Sequence, residues 1–285
     1  VHVLPVTDQG MFELADGTMS AVFEVPIENM PKTMGTTAAD GDGGTHEGQA
    51  RSDMSIIDSV AYTGCSPGEA SKVTGKLMGK STGQPALGAE GNEITAEKDF
   101  VAEGFEGSID IEFRFDGSGL AGASLGAFEA MYDAGGSIYI NHEDIDDEGQ
   151  TVNVVDIATK AHDAETGTNQ GTVSESATLV DVVSFEGLTP GNRYKLFTML
   201  VDKATGEPVE DAAGNPMVIE TDFAPEAPDG TVEVVFELDT ADLAGKSLVF
   251  FEKLADDGDN VIAKHEDIGD EGQTIELPEP DAPQN

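Results

Sequence analysis

The strongest constraint on this 285-residue chain is that it repeats itself. A ten-residue segment that begins at His142 returns at His265, with nine of ten residues identical and an offset of 123. The same offset relates residues 32–154 to residues 155–277 without insertion or deletion. Because this period is far too long for a solenoid unit, it predicts two tandem domains, each with its own core.

Within each copy, apolar and polar residues alternate in short runs broken by Gly, Pro, Asp or Asn, as in residues 231–238. This period of two indicates β-strands, and no long amphipathic helical pattern is present. We therefore predict an all-β protein made of two tandem Ig-like antiparallel sandwiches. The two repeats are predicted to span 32–154 and 155–279, and a Pro-rich tail follows at 280–285. Residues 1–31, strand-like at 21–25, are predicted to be a short β extension or the end of a preceding β-domain.

The charge of the chain excludes several classes of partner. Its 56 acidic residues against 14 basic ones give a formal charge of −42. A surface this negative repels phosphate backbones and anionic lipids, so we expect neither nucleic-acid nor membrane binding. With neither a signal-peptide pattern nor a membrane-spanning apolar run, a soluble protein is expected, either cytosolic or part of an exported one. The single cysteine, Cys65, is predicted to be a small buried residue, and no cofactor or metal is expected.

Several polar residues fall on strand positions that face the core. Residues two apart in a strand share a face, which puts Asp181 in phase with Leu179 and Val183, and His142 in phase with Ile138 and Ile140. Each such residue alone is more often an exposed or satisfied polar group, but five that recur together favour a site, because buried carboxylates are costly unless paired or protonated. The candidates are Thr36, Asp58, Glu129, His142 and Gln150 in the first copy, and Thr159, Asp181, Glu252, His265 and Gln273 in the second.

This set of residue types has a chemical interpretation. A Thr hydroxyl can act as nucleophile, a His as general base and a Gln side-chain carbonyl as electrophile. Two inward-facing acids can share a proton, and the neutral acid can hydrogen-bond the developing oxyanion or the leaving group. The expected reaction is attack of Thr on Gln with loss of ammonia, which gives an intramolecular ester.

Three blocks of the second copy closely resemble the VaFE-type repeat domains of Gram-positive surface proteins: VVSFEGLTPG at 182–191, LAGKSLVFFE at 243–252 and KHEDIGDEGQT at 264–274. The resemblance covers both copies. It implies Ig-like stalk domains that form autocatalytic, single-turnover Thr–Gln ester cross-links between their first and last strands. It also implies an extracellular, cell-wall-anchored adhesin that is monomeric, has neighbouring domains of the same protein as partners, and binds a host ligand that the sequence does not identify.

The resemblance also assigns roles by position. The bond-forming pairs fall on Thr36 with Gln150 and on Thr159 with Gln273. Thr37 adjoins Thr36, but the offset selects Thr36, since Thr37 corresponds to Lys160. The first copy departs from the second in having Cys65 for Leu188, Ser71 for Tyr194 and Gly126-Ala127 for Val249-Phe250. The assisting residues fall on His142, Asp58 and Glu129, and on His265, Asp181 and Glu252.

Other interpretations fit the sequence less well than the ester does. The nearest rival is a Lys–Asn isopeptide domain, but the repeated lysines Lys80 and Lys203 lie in a Thr-Gly turn. Residues 144–149 suggest calcium, but position twelve of that loop is Val155 where a Glu is needed. A glycosidase would use the acid pair without any Trp for sugar stacking. An acidic calcium-binding adhesive module and a halophilic soluble β protein without cross-links stay open as alternatives.

Overall fold

The computed structural model describes residues 31–279 in full, together with the backbone of 11–13 and 19–21. Almost all regular structure in these residues is β-strand, which confirms the all-β prediction. Met11–Glu13 and Met19–Ala21 pair antiparallel. Most of the strand expected at 21–25 and all of the tail at 280–285 lie outside the described residues. No helix in the described part of the chain has the length and apolar character needed to cross a membrane.

The described strands are numbered β1 to β19 in chain order, and two short 3-10 turns interrupt them, Glu148–Gln150 and Ala241–Leu243. The strands are β1 Met11–Glu13, β2 Met19–Ala21, β3 Thr33–Asp40, β4 Glu47–Gln49, β5 Met54–Thr63, β6 Ala70–Gly79, β7 Gln84–Pro85, β8 Thr95–Val101, β9 Glu106–Phe115, β10 Ser124–Asp133, β11 Ile138–His142, β12 Thr151–Asp163, β13 Ala177–Glu186, β14 Tyr194–Asp202, β15 Val218–Phe223, β16 Gly230–Leu238, β17 Ser247–Asp256, β18 Val261–His265 and β19 Thr274–Glu276.

The first domain packs two sheets around one apolar core. One sheet has the strand order β3-β5-β9, and the other is built on β12-β10-β6, with β7, β8 and β11 at its edges. Alternate residues of the facing strands fill the core, among them Ile56, Val60, Phe113 and Leu125, all at most 1% exposed. The inward-facing half of each strand thus forms the core that the alternation predicted.

The second domain repeats this arrangement strand for strand. Strands β12, β13 and β16 form one sheet, and β15, β14, β17 and β18 form the other, with β19 paired to β17. Its separate core contains Leu179, Phe236, Phe250 and Ile275. Two cores with matching strands confirm the prediction of two tandem sandwiches.

Strand β12 belongs to both domains. Its first residues pair with β10 of the first domain, and residues 156–163 pair with β13 of the second. Val154 is buried in the first core, and the next residue, Val155, is buried in the second. Strand β4 also pairs with β12, in parallel, which departs from the purely antiparallel expectation. The domains are therefore joined by one unbroken strand.

The alternation fails in β11 and β18. Ile138, expected to share the inward face of His142, is 57% exposed, and Val261 of β18 is 42% exposed. In both strands the pairing shifts by one residue: Met131 pairs with Ile140 but the next residue, Tyr132, pairs with Ile138. A β-bulge of this kind turns the residues beyond it to the other face. Ile140 therefore shares a face with His142 as predicted, whereas Ile138, on the far side of the bulge, does not.

Candidate functional site

The carboxyl and carboxamide groups singled out in the sequence lie inside the two domains. Their orientation agrees with the alternation of their strands, and the His and Thr side chains of both copies are partly exposed. Each site therefore has a buried interior and a partly solvent-exposed edge. The buried members are Asp58, Gln150, Asp181, Glu252 and Gln273 at 0% exposure, and Glu129 at 1%.

In the first domain the five predicted residues meet in one cluster. The Thr36 hydroxyl oxygen lies 3.3 Å from Nδ1 of His142 and accepts a hydrogen bond from Nε2 of Gln150. The same amide nitrogen donates to Oε2 of Glu129 at 2.6 Å. The neighbouring Thr37 is exposed, because it lies on the opposite face of β3. The hydroxyl that reaches the cluster is thus that of Thr36.

The elements that position this cluster come from both ends of the domain. Thr36 lies on the first strand, β3, and Gln150 ends the 3-10 turn immediately before the last strand, β12. Between them, Glu129 of β10 pairs directly opposite His142 of β11. The sheet register therefore sets the distance between acid and imidazole, and closure of the sandwich brings the Thr to the Gln.

The second domain brings the same residues together with a different hydrogen-bond pattern. The Thr159 hydroxyl donates to Oδ1 of Asp181 at 2.6 Å. Nδ1 of His265 lies 3.2 Å from the carbonyl oxygen of Ile157, and Gln273 donates to the carbonyl oxygen of Asp267 at 3.1 Å. In this arrangement the hydroxyl contacts the acid instead of the imidazole. The Gln273 amide likewise contacts a backbone carbonyl oxygen instead of the hydroxyl.

Each site contains a pair of buried carboxyl groups that must hold a proton. The carboxyl groups of Asp58 and Glu129 are neighbours, and a hydrogen bond between them shifts the pKa of both. Burial raises the pKa of Glu129, and the charge of Asp58 raises it further. In the second domain, burial and then the charge of Asp181 raise the pKa of Glu252 to about 10. Two carboxylates this close cannot both be ionised, so at neutral pH the Glu of each pair is a neutral acid.

One contributor was missed by the sequence reasoning. Oδ2 of Asp147 lies 3.5 Å from Nε2 of His142, and Oδ2 of Asp270 lies 3.1 Å from Nε2 of His265. A proton on Nε2 that faces this carboxylate leaves Nδ1 free to accept one from Thr36. The available signal was that both Asp residues follow their His by five positions and obey the 123-residue offset.

Lys80 and Lys203 lie beside the two sites without joining them. Nζ of Lys203 donates to the Thr274 hydroxyl at 3.0 Å, and Nζ of Lys80 contacts the Thr151 hydroxyl at 3.3 Å. Each of these threonines directly follows the site Gln. The lysine of the Thr-Gly turn therefore holds the segment that carries the Gln, and its Nζ bonds to a hydroxyl instead of an Asn.

The acidic loop at 144–149 is organised by its own backbone. Oδ1 of Asp144 accepts from the Asp146 amide at 3.0 Å, and Oδ1 of Asp147 accepts from the Gly149 amide at 2.8 Å. Among the described residues there is no group of three or more His, Cys, Asp or Glu side chains that could hold a metal ion. Cys65 is fully buried in the first core, and burial raises the pKa of its thiol.

Comparison with known proteins identifies the family. Residues 32–154 and 155–277 each match the T-Q ester bond containing domain. The chain belongs to this family. Its two T-Q ester bond domains account for most of the sequence. No curated protein matches the chain.

Solved structures with some similarity to these T-Q ester bond domains include a bacterial adhesin and a streptococcal antigen I/II-family protein. A Mobiluncus mulieris adhesin, described as containing intramolecular disulfide, isopeptide and ester bond cross-links, is 13% identical; the match covers 78% of this chain and 81% of that one, with a TM-score of 0.35. The C-terminal domain of the Streptococcus pyogenes antigen I/II-family protein AspA is 9% identical, covers 82% and 98%, and has a TM-score of 0.37.

Proposed function

We propose that each domain forms an intramolecular ester, between Thr36 and Gln150 in the first and between Thr159 and Gln273 in the second. The observation that carries the proposal is the double contact of the Thr36 hydroxyl, with Nδ1 of His142 on one side and the Gln150 side chain on the other. Nucleophile, base and electrophile are thereby in reach of one another.

The reaction balances with the groups present. His142 takes the proton of the Thr36 hydroxyl as its oxygen attacks Cδ of Gln150. The amide nitrogen, which leaves as ammonia, needs one additional proton. Glu129 is a neutral acid whose Oε2 already contacts that nitrogen, so it can supply this proton and then regain one from His142. Of the two acid roles that the sequence left open, this contact favours protonation of the leaving group. Each domain reacts only once, because its own Thr and Gln are the reactants, so there is no catalytic turnover.

The wider role follows from where the bond lies. Thr36 and Gln150 are 114 residues apart and stand at the two ends of their domain. Closing such a loop stabilises a domain by roughly 5 kcal/mol on the chain-entropy estimate. Because the bond joins the first strand to the entry of the last, a pulling force would pass through it instead of separating the sheets. We therefore assign the chain to the stalk of a bacterial surface adhesin, extracellular and carried by a cell-wall-anchored parent protein, with neighbouring domains as its partners.

The direct test is intact-mass spectrometry of the purified protein. Two esters lower the mass by two ammonia molecules relative to the sequence, and peptides that join residue 36 to residue 150 and residue 159 to residue 273 locate the bonds. The full unmodified mass would overturn the proposal. Loss of a single ammonia would restrict it to one domain.

The neighbouring threonines provide a matched pair of variants for the first bond. Thr36→Ala removes the hydroxyl that contacts His142, so one ammonia should be retained and the second bond should still form. Thr37→Ala removes an exposed hydroxyl on the same strand and should lose both ammonia molecules like the wild type. A Thr37→Ala protein that keeps its first-domain ammonia would show that the nucleophile was assigned to the wrong residue.

A further inference from the structure

The two domains are held together by more than their shared strand. Glu47 of β4 belongs to the first domain, is only 7% exposed, and presents one carboxylate oxygen, Oε1, to the second domain. That oxygen accepts hydrogen bonds from the Thr189 amide at 3.1 Å, the Thr189 hydroxyl at 2.7 Å and the Tyr194 hydroxyl at 2.5 Å. Tyr194 is itself 1% exposed. Hydrogen bonds to a buried carboxylate are among the strong ones in proteins.

A second contact lies at the other end of β4. The Gln49 side-chain amide donates to the carbonyl oxygen of Lys264 at 2.7 Å and accepts from the Lys264 amide at 3.1 Å. It thereby satisfies both backbone groups of one residue of β18, as a neighbouring strand would. Lys264 directly precedes the site residue His265. The first domain thus contacts both the turn that leads into β14 and the strand that carries the second histidine.

The residues of this contact are not repeated between the copies. In the first domain the amide of Ser66, which corresponds to Thr189, bonds to Oε2 of Glu69 at 2.9 Å, and Glu69 pairs with Lys32 at 2.6 Å. The Thr189 amide of the second domain thus bonds to a carboxylate of the other domain, whereas the equivalent Ser66 amide bonds to a carboxylate of its own domain. Three further positions differ at the 123-residue offset. Glu47, Gln49 and Ser71 of the first copy correspond to Gln170, Thr172 and Tyr194 of the second.

We propose that Glu47 and Gln49 form a docking surface for a following domain, and that this surface fixes the two domains as one rigid unit. The partner it fits is a sandwich that presents a Thr amide and hydroxyl at position 189, a Tyr hydroxyl at position 194 and a free strand edge at position 264. A second copy of the first domain does not fit, since Ser71 is too short to reach the carboxylate and Glu69 occupies its place. The proposal does not depend on ester formation.

Small-angle scattering of the full chain tests the rigidity. We expect the wild-type curve to fit a single arrangement of the domains, and the Glu47→Ala/Gln49→Ala double variant to require a mixture with a broader distribution of interatomic distances. Gln170→Ala changes the exposed equivalent of Glu47 and should leave the curve unchanged. A double variant whose curve superimposes on the wild type, or a wild type that already needs a mixture, would overturn the proposal. Amide NMR spectra establish that each domain of the variants stays folded.

A double-mutant cycle tests the contact from both sides. Glu47→Ala and Tyr194→Phe are compared singly and together by urea unfolding in a Gln150→Ala/Gln273→Ala background, where no ester can form. If the two groups act through one another, the combined loss of unfolding free energy is smaller than the sum of the single losses. Additive losses would show that the contact does not contribute. Because esters are absent from this background, the result is independent of the proposed chemistry.

Discussion

At the level of single residues, the proton held by each carboxyl pair decides what the pair can do. Asp181 and Glu252 are both fully buried, and a hydrogen bond between them needs one proton. With that proton Glu252 is a neutral acid, and the pair carries a single negative charge. Without it, two adjacent buried charges would repel each other and destabilise the domain. The pair therefore links the proposed chemistry to the stability of the unreacted protein.

The pH dependence of stability tests this protonation. Since the pKa of Glu252 is raised from 4.5 to about 10, the folded state binds this proton more tightly than the unfolded chain does. Its contribution is full below pH 4.5 and is lost as the pH rises toward 10. Urea unfolding of the ester-free Gln150→Ala/Gln273→Ala protein should show stability falling across this window. Adding Glu252→Gln, which is always neutral, should make the slope shallower; an unchanged slope would mean that Glu252 is already ionised.

The carboxylate behind each imidazole should control the rate of bond formation. Asp270→Asn removes the charge that favours a proton on Nε2 of His265, and we expect the second ester to form on the order of 100-fold more slowly or worse. Time-resolved mass spectrometry after cell-free synthesis measures this, and the unaltered first domain gives an internal reference. Asp267→Asn, in the same turn, should leave the rate unchanged. Equal rates in the Asp270→Asn and wild-type proteins would remove Asp270 from the mechanism.

Site residues in regular strands could be predicted from the sequence, whereas one site residue in a turn could not. Asp58 and Asp181 sit in the middle of regular strands, so their neighbours fix which face they occupy. Asp147 lies in a turn, where period two does not apply, and its link to His142 required the folded structure. The five site residues are of the same types in both copies, so the sequence could not predict that Thr159 bonds to Asp181 while Thr36 contacts a histidine.

At the level of strands, a turn that packs closely against a neighbouring strand restricts which residues it can contain. Gly187 follows β13 with φ of 81°, and a Cβ there would lie 2.5 Å from the carbonyl oxygen of Val154 on β12. The turn is thus pressed against the strand that both domains share. The fold class and the two-domain organisation followed from the repeat and the alternation, but this close approach and the bulges in β11 and β18 depend on packing that no single segment encodes.

Two glycine substitutions separate backbone strain from steric overlap. Gly187→Ala suffers both, whereas Gly191→Ala has φ of 84° but no atom within 4 Å of the added Cβ. A non-Gly residue in this conformation costs roughly 1–3 kcal/mol. We expect Gly191→Ala to lower the free energy of unfolding of the ester-free protein by about that amount, and Gly187→Ala to lower it further. Equal losses in urea titrations would contradict the close contact with β12.

At the level of the whole molecule, the proposed esters would decide how the chain responds to force. A domain closed at residues 36 and 150 hides 114 residues, or about 400 Å of extended chain. Single-molecule pulling from the ends should give no unfolding step of this length in the wild type. Gln150→Ala should restore one such step and Gln150→Ala/Gln273→Ala two. Long steps in a wild-type protein of verified ester mass would show that the load does not pass through the bonds.

The shared strand β12 also limits how the chain between the two domains can change in length. Val154 faces the first core and Val155 the second, so one residue inserted between Gln150 and Thr159 would turn every later side chain of the strand to the wrong face. A deletion would do the same. The spacing between the two cores is therefore set to the residue by this strand, and any further domain joined in the same way would have to keep its phase.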